Sequence, residues 1–289
     1  MFGTFVSNMM IKPGQAPLFD HPQSFDLPFE DVEFSTEDGV TLRGWLIRGG
    51  ADKVIVQSHF GVQCNRGGWT PKGHGPMPPW KQDIRFLRQA KYLMDQGHSV
   101  LMYDLRGHGD SDLGPIPWVS WGPEEAKDVI AAVDFVSARY PSANIGLLSI
   151  CMGSAATTYA YGRDHGLAER QNIKAMIAVQ PLLYSNFVKA LGMPGFMVRA
   201  GEKVSTARMG FNMAEPNFVL DAPKITVPTL VVQNTNDPWT EMPMVQSYYD
   251  ALTVDKEMRL IELEKSRFAA YEYLGARPER VMDWFDRHL

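Results

Sequence analysis

Cysteine is scarce in this chain, and long apolar runs and clusters of one charge are missing. Two cysteines, Cys64 and Cys151, stand among 289 residues. That is too few for the disulfide framework of a small secreted scaffold, and a chain of this length can bury a core without such staples. Both are read as free thiols. No stretch approaches the roughly 20 uninterrupted apolar residues of a membrane span. The opening MFGTFVSNMMI has no basic flank and only a short apolar stretch, so it does not read as an export leader, and the expected location is cytoplasmic. No run of Lys or Arg is longer than a pair, and the formal net charge is -5. Nothing here favours nucleic acid or an anionic membrane surface. The expected partner is a small-molecule substrate, with no cofactor or metal called for and a homo-oligomer left open.

What is present is a globular composition, 45% apolar and 21% charged, that suits one domain with a small insertion. Residues 1–29 carry Pro13, Pro17, Pro22 and Pro28 with no steady period, which predicts an irregular lead-in over the core. Two alternating segments, 32–36 and 40–47, flank Glu37-Asp38-Gly39 and predict a hairpin. From residue 53 onward short apolar strands alternate with helical patterns: strands at 53–58, 99–103, 145–148, 175–179, 229–232 and 258–263, and helices at 84–96, 123–139, after residue 151 and at 278–288. Such alternation implies a mostly parallel sheet covered by helices on both faces. Residues 184–224 interrupt it with Met, Phe, Gly and Pro, which predicts a small lid over the C-terminal edge of the sheet.

The densest chemical signal is Ser149-Ile150-Cys151-Met152-Gly153, a strand-to-helix turn whose apex is a cysteine. A sharp turn of this kind exposes its central residue and needs small residues two before and two after, which Ser149 and Gly153 supply. A thiol at a helix N-terminus feels the positive end of the macrodipole, which favours the nucleophilic thiolate. The bland alternative is an inert buried cysteine.

Four landmarks in order carry a resemblance: Ser58-His59-Phe60-Gly61, Asp104 to Ser111 reading DLRGHGDS, the cysteine elbow, and Asn236-Asp237-Pro238. With their strand contexts they resemble the α/β-hydrolase superfamily from about residue 30 to the end, and the elbow cysteine resembles that of dienelactone hydrolases. The resemblance implies the α/β-hydrolase fold over 30–289, with the lid at 184–224. It implies Cys151 as nucleophile, Asp237 as triad acid, and the Phe60 and Met152 amides as oxyanion donors. The family's base should follow the last strand, yet that stretch reads Glu262 to Tyr271 without a histidine, and His288 is too near the chain end. Ser266 or Arg267 falls at the place instead, and neither is a general base near neutral pH. Arg267 could favour the thiolate or pair with Asp237, and His59 is the candidate substitute base.

Two readings follow. One is a cysteine-dependent hydrolase or acyl transferase acting on a small, largely apolar ester, lactone or thioester. The other is a catalytically silent hydrolase-fold protein that binds a ligand or partner under its lid. A redox role for Cys151 is a third and lacks a resolving cysteine nearby in sequence. Candidate pocket residues are Trp118, Trp121, Tyr184, Met193, Phe196 and Trp239, although aromatic residues serve as often in a core.

Overall fold

The computed structural model describes residues 2–61, 63–73 and 78–289. Helix α1 (Phe2–Ile11) leads into the hairpin β1 (Phe29–Ser35) and β2 (Thr41–Ile47), followed by β3 (Lys53–Ser58). A two-stranded ribbon, β4 (Gly68–Trp69) with β5 (Ile84–Arg85), precedes α2 (Phe86–Asp95) and β6 (Ser99–Tyr103). Then come α3 (Ala126–Arg139), β7 (Asn144–Ile150), α4 (Met152–Gly162) and β8 (Ile173–Val179). Helices α5 (Tyr184–Ala190) and α6 (Gly195–Met209) separate β8 from β9 (Thr229–Asn234), and α7 (Met242–Ala251), β10 (Lys256–Ile261), α8 (Arg267–Ala276) and α9 (Glu279–His288) complete the chain.

Eight strands form one sheet in the order β1-β2-β6-β3-β7-β8-β9-β10. The β1–β2 and β2–β6 pairs are antiparallel, and every other neighbouring pair is parallel. The fold is thus that expected from the sequence: a mostly parallel sheet with helices around it. The central strands β6 and β9 are buried at every position, because helices cover both faces of a parallel sheet and leave no polar face to alternate with. Edge strand β1 alternates instead over its second half. Gly146 lies mid-sheet where a Cβ would come within 2.7 Å of Phe285 and 2.8 Å of Ile55, so α9 packs close over β7.

The structure departs from the sequence reading in two places, and it gives the lid segment a definite form. Residues 2–11 of the expected irregular lead-in form a helix. The expected helix over 84–96 opens as strand β5, and only Phe86–Asp95 is helical. The segment expected as a Met-rich lid is largely helical, and α6 alone runs for 15 residues. Small residues let α1 lie directly on α6. A Cβ on Gly201 would meet Val6 Cγ1 at 2.5 Å, one on Gly3 would meet the Ala200 carbonyl at 2.7 Å, and buried Ser7 and Ser205 share a 2.9 Å hydroxyl hydrogen bond. The last turn of α6 adds Arg208, which donates to Ser7 Oγ and Asn8 Oδ1.

Candidate active site

Cys151 caps α4 with φ 55° and ψ -108°, a left-handed backbone that an L-residue adopts only under strain. Such strain needs a surrounding structure that over-determines it. The Cys151 N–H donates to the Val179 carbonyl at 2.8 Å, its carbonyl accepts from Ser154 and Ala155, and a Cβ on Gly153 would lie 2.4 Å from the Ser58 carbonyl. The turn is therefore pinned between β3 and β8. Gly61 sits over the elbow, where an added Cβ would be 3.2 Å from Met152 Sδ, so the loop holding Phe60 lies beside the first residue of α4. Cys151 itself is only 4% exposed.

Beside the sulfur stands a cation. Arg267 opens α8, whose N-cap Ser266 accepts from the Phe268 N–H, and the Arg267 side chain is completely buried. Its guanidinium donates to Asp237 Oδ2, to Thr240 Oγ1 at 2.8 Å and to the Gln180 carbonyl. Burial alone would pull its pKa down, but the Cys151 sulfur, Tyr271 and Asp237 together hold it above the usual arginine value. Asp237 is fixed in turn, accepting from the Trp239 N–H at 3.0 Å and from Gln233 Nε2 at 3.3 Å. Gln180, at φ 48°, ties the set together by donating to the Arg267 carbonyl and accepting from Gln233 and the Asn234 amide. Asp237, Arg267 and Cys151 thus converge in the positional order of an acid, a base and a nucleophile, with a permanent cation in the middle.

Tyr271, one helical turn after Arg267, is the neighbour that sequence reasoning overlooked. Its ring stacks on Phe60 at 4.4 Å, and its buried hydroxyl has no conventional hydrogen-bond partner. Burial and then the Cys151 sulfur push this phenol well above the usual tyrosine range, against the pull of Arg267. The i, i+4 spacing from Arg267 was the available signal, since it puts both residues on one helix face.

His59 does not fill the role of base. Its Nε2 accepts from the Leu105 N–H at 3.1 Å, which leaves Nδ1 to carry the proton and donate to the Phe60 carbonyl at 2.7 Å. Both nitrogens are committed to bracing the loop. Burial, with His108 and Arg66 nearby, lowers its pKa to about 3. Cys64 is equally unsuited to resolve an oxidised Cys151. Its thiol donates to the Gly68 carbonyl at 3.2 Å, and burial pushes its pKa well up, so it stays protonated. Both cysteines are free.

The candidate pocket residues divide. A cavity of about 810 Å³ lies among α1, residues 12–19, the 63–73 loop and an aromatic wall. Trp121 lines it, next to Phe187 at 4.1 Å, and Phe187 in turn meets Trp239. Trp239 packs on Phe268, which links this wall to the Arg267 helix. Trp239 and the other four, Trp118, Tyr184, Met193 and Phe196, do not line the cavity. Trp118 stacks under the Arg208 guanidinium at 4.0 Å, and the Tyr184 hydroxyl meets Met10 Sδ. Phe196 is exposed and faces Phe2, and Met193 packs half-buried against the core. The helix over 195–209 turns Phe196 outward, away from this cavity. Phe187, Trp69 and Met10 take their places. Among the described residues no group of three His, Cys, Asp or Glu converges as a metal site, and no helix is long and apolar enough to cross a membrane.

An eight-stranded, mostly parallel sheet, with a strained elbow after β7 and a carboxylate after β9, defines the α/β-hydrolase fold. The comparisons agree. A family profile described as serine aminopeptidase, S33, matches residues 84–213, which include the elbow. The chain is similar to the polyketide transferase grgF of Penicillium sp, 32% identical over 166 residues, which are 55% of this chain and 47% of the relative. It thus spans about half the length of that relative. The esterase Pf2001 of Pyrococcus furiosus superposes with a TM-score of 0.70 at 23% identity, over 96% of this chain and 98% of that one. The α/β hydrolase GrgF from Penicillium sp. sh18 does so with a TM-score of 0.60 at 21% identity, over 91% and 99%.

Proposed function

We propose that this protein is an acyl-transferring enzyme of the hydrolase fold in which Cys151 attacks as a thiolate held by Arg267. The observation that carries the reading is the guanidinium fixed by Asp237 beside the sulfur, where a histidine would stand in a triad. A serine there would be inert, because an alcohol must lose its proton to a base during attack. A thiolate needs no such base, and a fixed cation with an unpaired Nε–H favours it. The sulfur adds to the carbonyl carbon of a small, largely apolar ester, lactone or thioester. The resulting oxyanion is met by the Phe60 and Met152 N–H groups. Collapse expels the alkoxide, enolate or thiolate and leaves a thioester on Cys151.

Arg267 gives up no proton at physiological pH, so leaving groups that depart as stable anions react fastest. Deacylation is the slow half. Water attacking the thioester needs a base, help that is worth about 10² to 10⁴ in rate, and no residue at the site supplies it. An acceptor that is itself nucleophilic does not need that help, so transfer outpaces hydrolysis. The name of the similar polyketide transferase supports a transferase and that of the superposing esterase an acyl chemistry.

Intact-mass spectrometry with activated esters, lactones and acyl thioesters tests this, with Cys151→Ala and Asp237→Asn as controls. A persistent single adduct on the wild type and none on Cys151→Ala is expected. Turnover without an adduct overturns the missing-base mechanism. The small exposure of Cys151, and its place outside the cavity wall, favour a second reading, a silent protein that binds a ligand under its cap. Absence of both adduct and turnover decides for it.

A further inference from the structure

The cavity is separate from the cysteine cluster, since Cys151, Arg267, Asp237 and Tyr271 are not among its lining residues. At about 810 Å³ it falls within the range of small-molecule sites, about 300–1,000 Å³. Its walls are mainly apolar, with Met10, Trp69, Val119, Trp121 and Phe187 among them. Two fully buried polar side chains break that surface: Asn65, which donates to the Ala16 and Pro17 carbonyls and accepts from the Gly67 N–H, and His108. His108 forms part of the wall, is completely buried, and places its Nδ1 3.0 Å from the Arg106 carbonyl. Nδ1 must therefore carry the proton and donate, which leaves Nε2 on the opposite edge as a lone-pair acceptor. That Nε2 has no hydrogen-bond partner in the protein. Burial lowers the pKa of the ring, so it stays neutral and offers an acceptor, not a donor. A buried acceptor without a partner is a costly arrangement that native structures seldom keep unless something bound completes it.

We propose that this cavity is a binding site for a flat, largely apolar molecule whose hydroxyl group donates a hydrogen bond to His108 Nε2. The walls give area and shape without specificity, and Trp121 and Phe187, at 4.1 Å and 30° between planes, offer an aromatic face to a ring. His108 gives the selectivity, because a site built to accept from a hydroxyl rejects an analogue that lacks it. The site also has a route to the chemistry. Trp69 on the cavity wall packs on Phe268 at 5.3 Å, and Phe268 packs on Phe60 and Tyr271. A relay of packed rings, Trp69, Phe268 and then Phe60 and Tyr271, therefore joins a bound molecule to the elbow. Naming it as the acyl substrate rests on the proposed function, but binding does not, since no cavity residue takes part in the attack.

The test uses full-length Cys151→Ala protein, so that binding is read apart from catalysis. Titration with 2-naphthol and with its methyl ether, 2-methoxynaphthalene, is followed by calorimetry and by quenching of tryptophan fluorescence. The naphthol is expected to bind at least tenfold more tightly than the ether, and His108→Phe is expected to erase that ratio. Should His108→Phe fail to fold, Val119→Trp in the same background fills the cavity from a position whose backbone bond to Ile11 is retained. It is expected to weaken both probes at least tenfold. Equal affinities for the two probes, no saturable binding, or undiminished binding in Val119→Trp each overturn the proposal, whatever the adduct experiment has shown.

Discussion

Arg267 occupies a place where a side chain must do two things at once: neutralise a buried carboxylate and face a sulfur. Both side chains of its ion pair with Asp237 are completely buried, and breaking such a pair leaves an uncompensated charge that costs about 3–5 kcal/mol. Arg267→Met should therefore lower unfolding free energy by about that amount in denaturant titrations, and it should slow alkylation of Cys151 by iodoacetamide at least tenfold. Arg267→Lys should recover most of the alkylation rate but less of the stability, because an ammonium supplies the charge without the planar fork. Equal alkylation rates in all three proteins would remove the cation from the mechanism. His59 gives a pH prediction. Its pKa is about 3 in the fold and about 6.5 in the unfolded chain, so between those values the unfolded state binds more protons. Its contribution is complete above pH 6.5 and is lost as the pH falls toward 3. The stability difference between the wild type and His59→Gln should shrink over that window, and a difference that stays constant contradicts the assignment. At this scale much of the cysteine cluster was legible. Cys151, Asp237 and Arg267 each follow a strand or its connecting loop at a fixed place in the order. The failure of His59 as a base was not, because it turns on which backbone groups its two nitrogens meet across the fold.

The elements show why some of the chain resists reading. Helix α1 has apolar side chains on two faces: Val6 and Met10 are buried against α6, whereas Phe2, Phe5 and Met9 are exposed. No amphipathic period stands out from such a segment, and the prolines that follow it suggest irregular structure. The α1–α6 contact depends instead on residues that are informative only as a pair, Gly3 and Ser7 against Gly201 and Ser205. Gly201→Leu should force the two helices apart, since a Cβ alone already comes within 2.5 Å of Val6. Amide exchange in residues 2–11 should rise at least tenfold in that variant while exchange in β6 and β7 is unchanged. Exchange at the wild-type rate would mean that α1 is not held by this contact. The strands were the easier part, because an apolar run bounded by turn residues identifies a buried parallel strand wherever both of its faces are covered.

For the molecule as a whole, the mostly parallel, helix-covered sheet followed from the alternation and the four landmarks, but the cavity did not. It is assembled from α1, residues 12–19, the 63–73 loop and Phe187, parts of the chain that no periodicity joins. Its charge also runs against the global balance. The chain carries a net -5, yet among the described residues that line the cavity there is no Asp or Glu, and Lys12 and Lys72 lie exposed at its edge. A carboxylate-bearing naphthol should accordingly associate faster than a neutral one at low ionic strength, and the advantage should fade as salt screens beyond about 8 Å near 0.15 M. Lys12→Glu with Lys72→Glu should abolish it in stopped-flow measurements, and a rate that ignores both salt and charge reversal speaks against steering. The buried Asp237–Arg267 pair has one more effect, on the energy of the whole fold through a catalytic cycle. A histidine relay can take up and release a proton as the nucleophile is consumed and regenerated, whereas a guanidinium cannot. On the mechanism proposed above, the pair and a Cys151 thiolate sum to one negative charge in a buried site, and acylation of the sulfur brings that sum to zero. On that proposal the loaded protein is the electrically relaxed form and the empty one the form under tension, which suits a molecule that holds its cargo until an acceptor arrives.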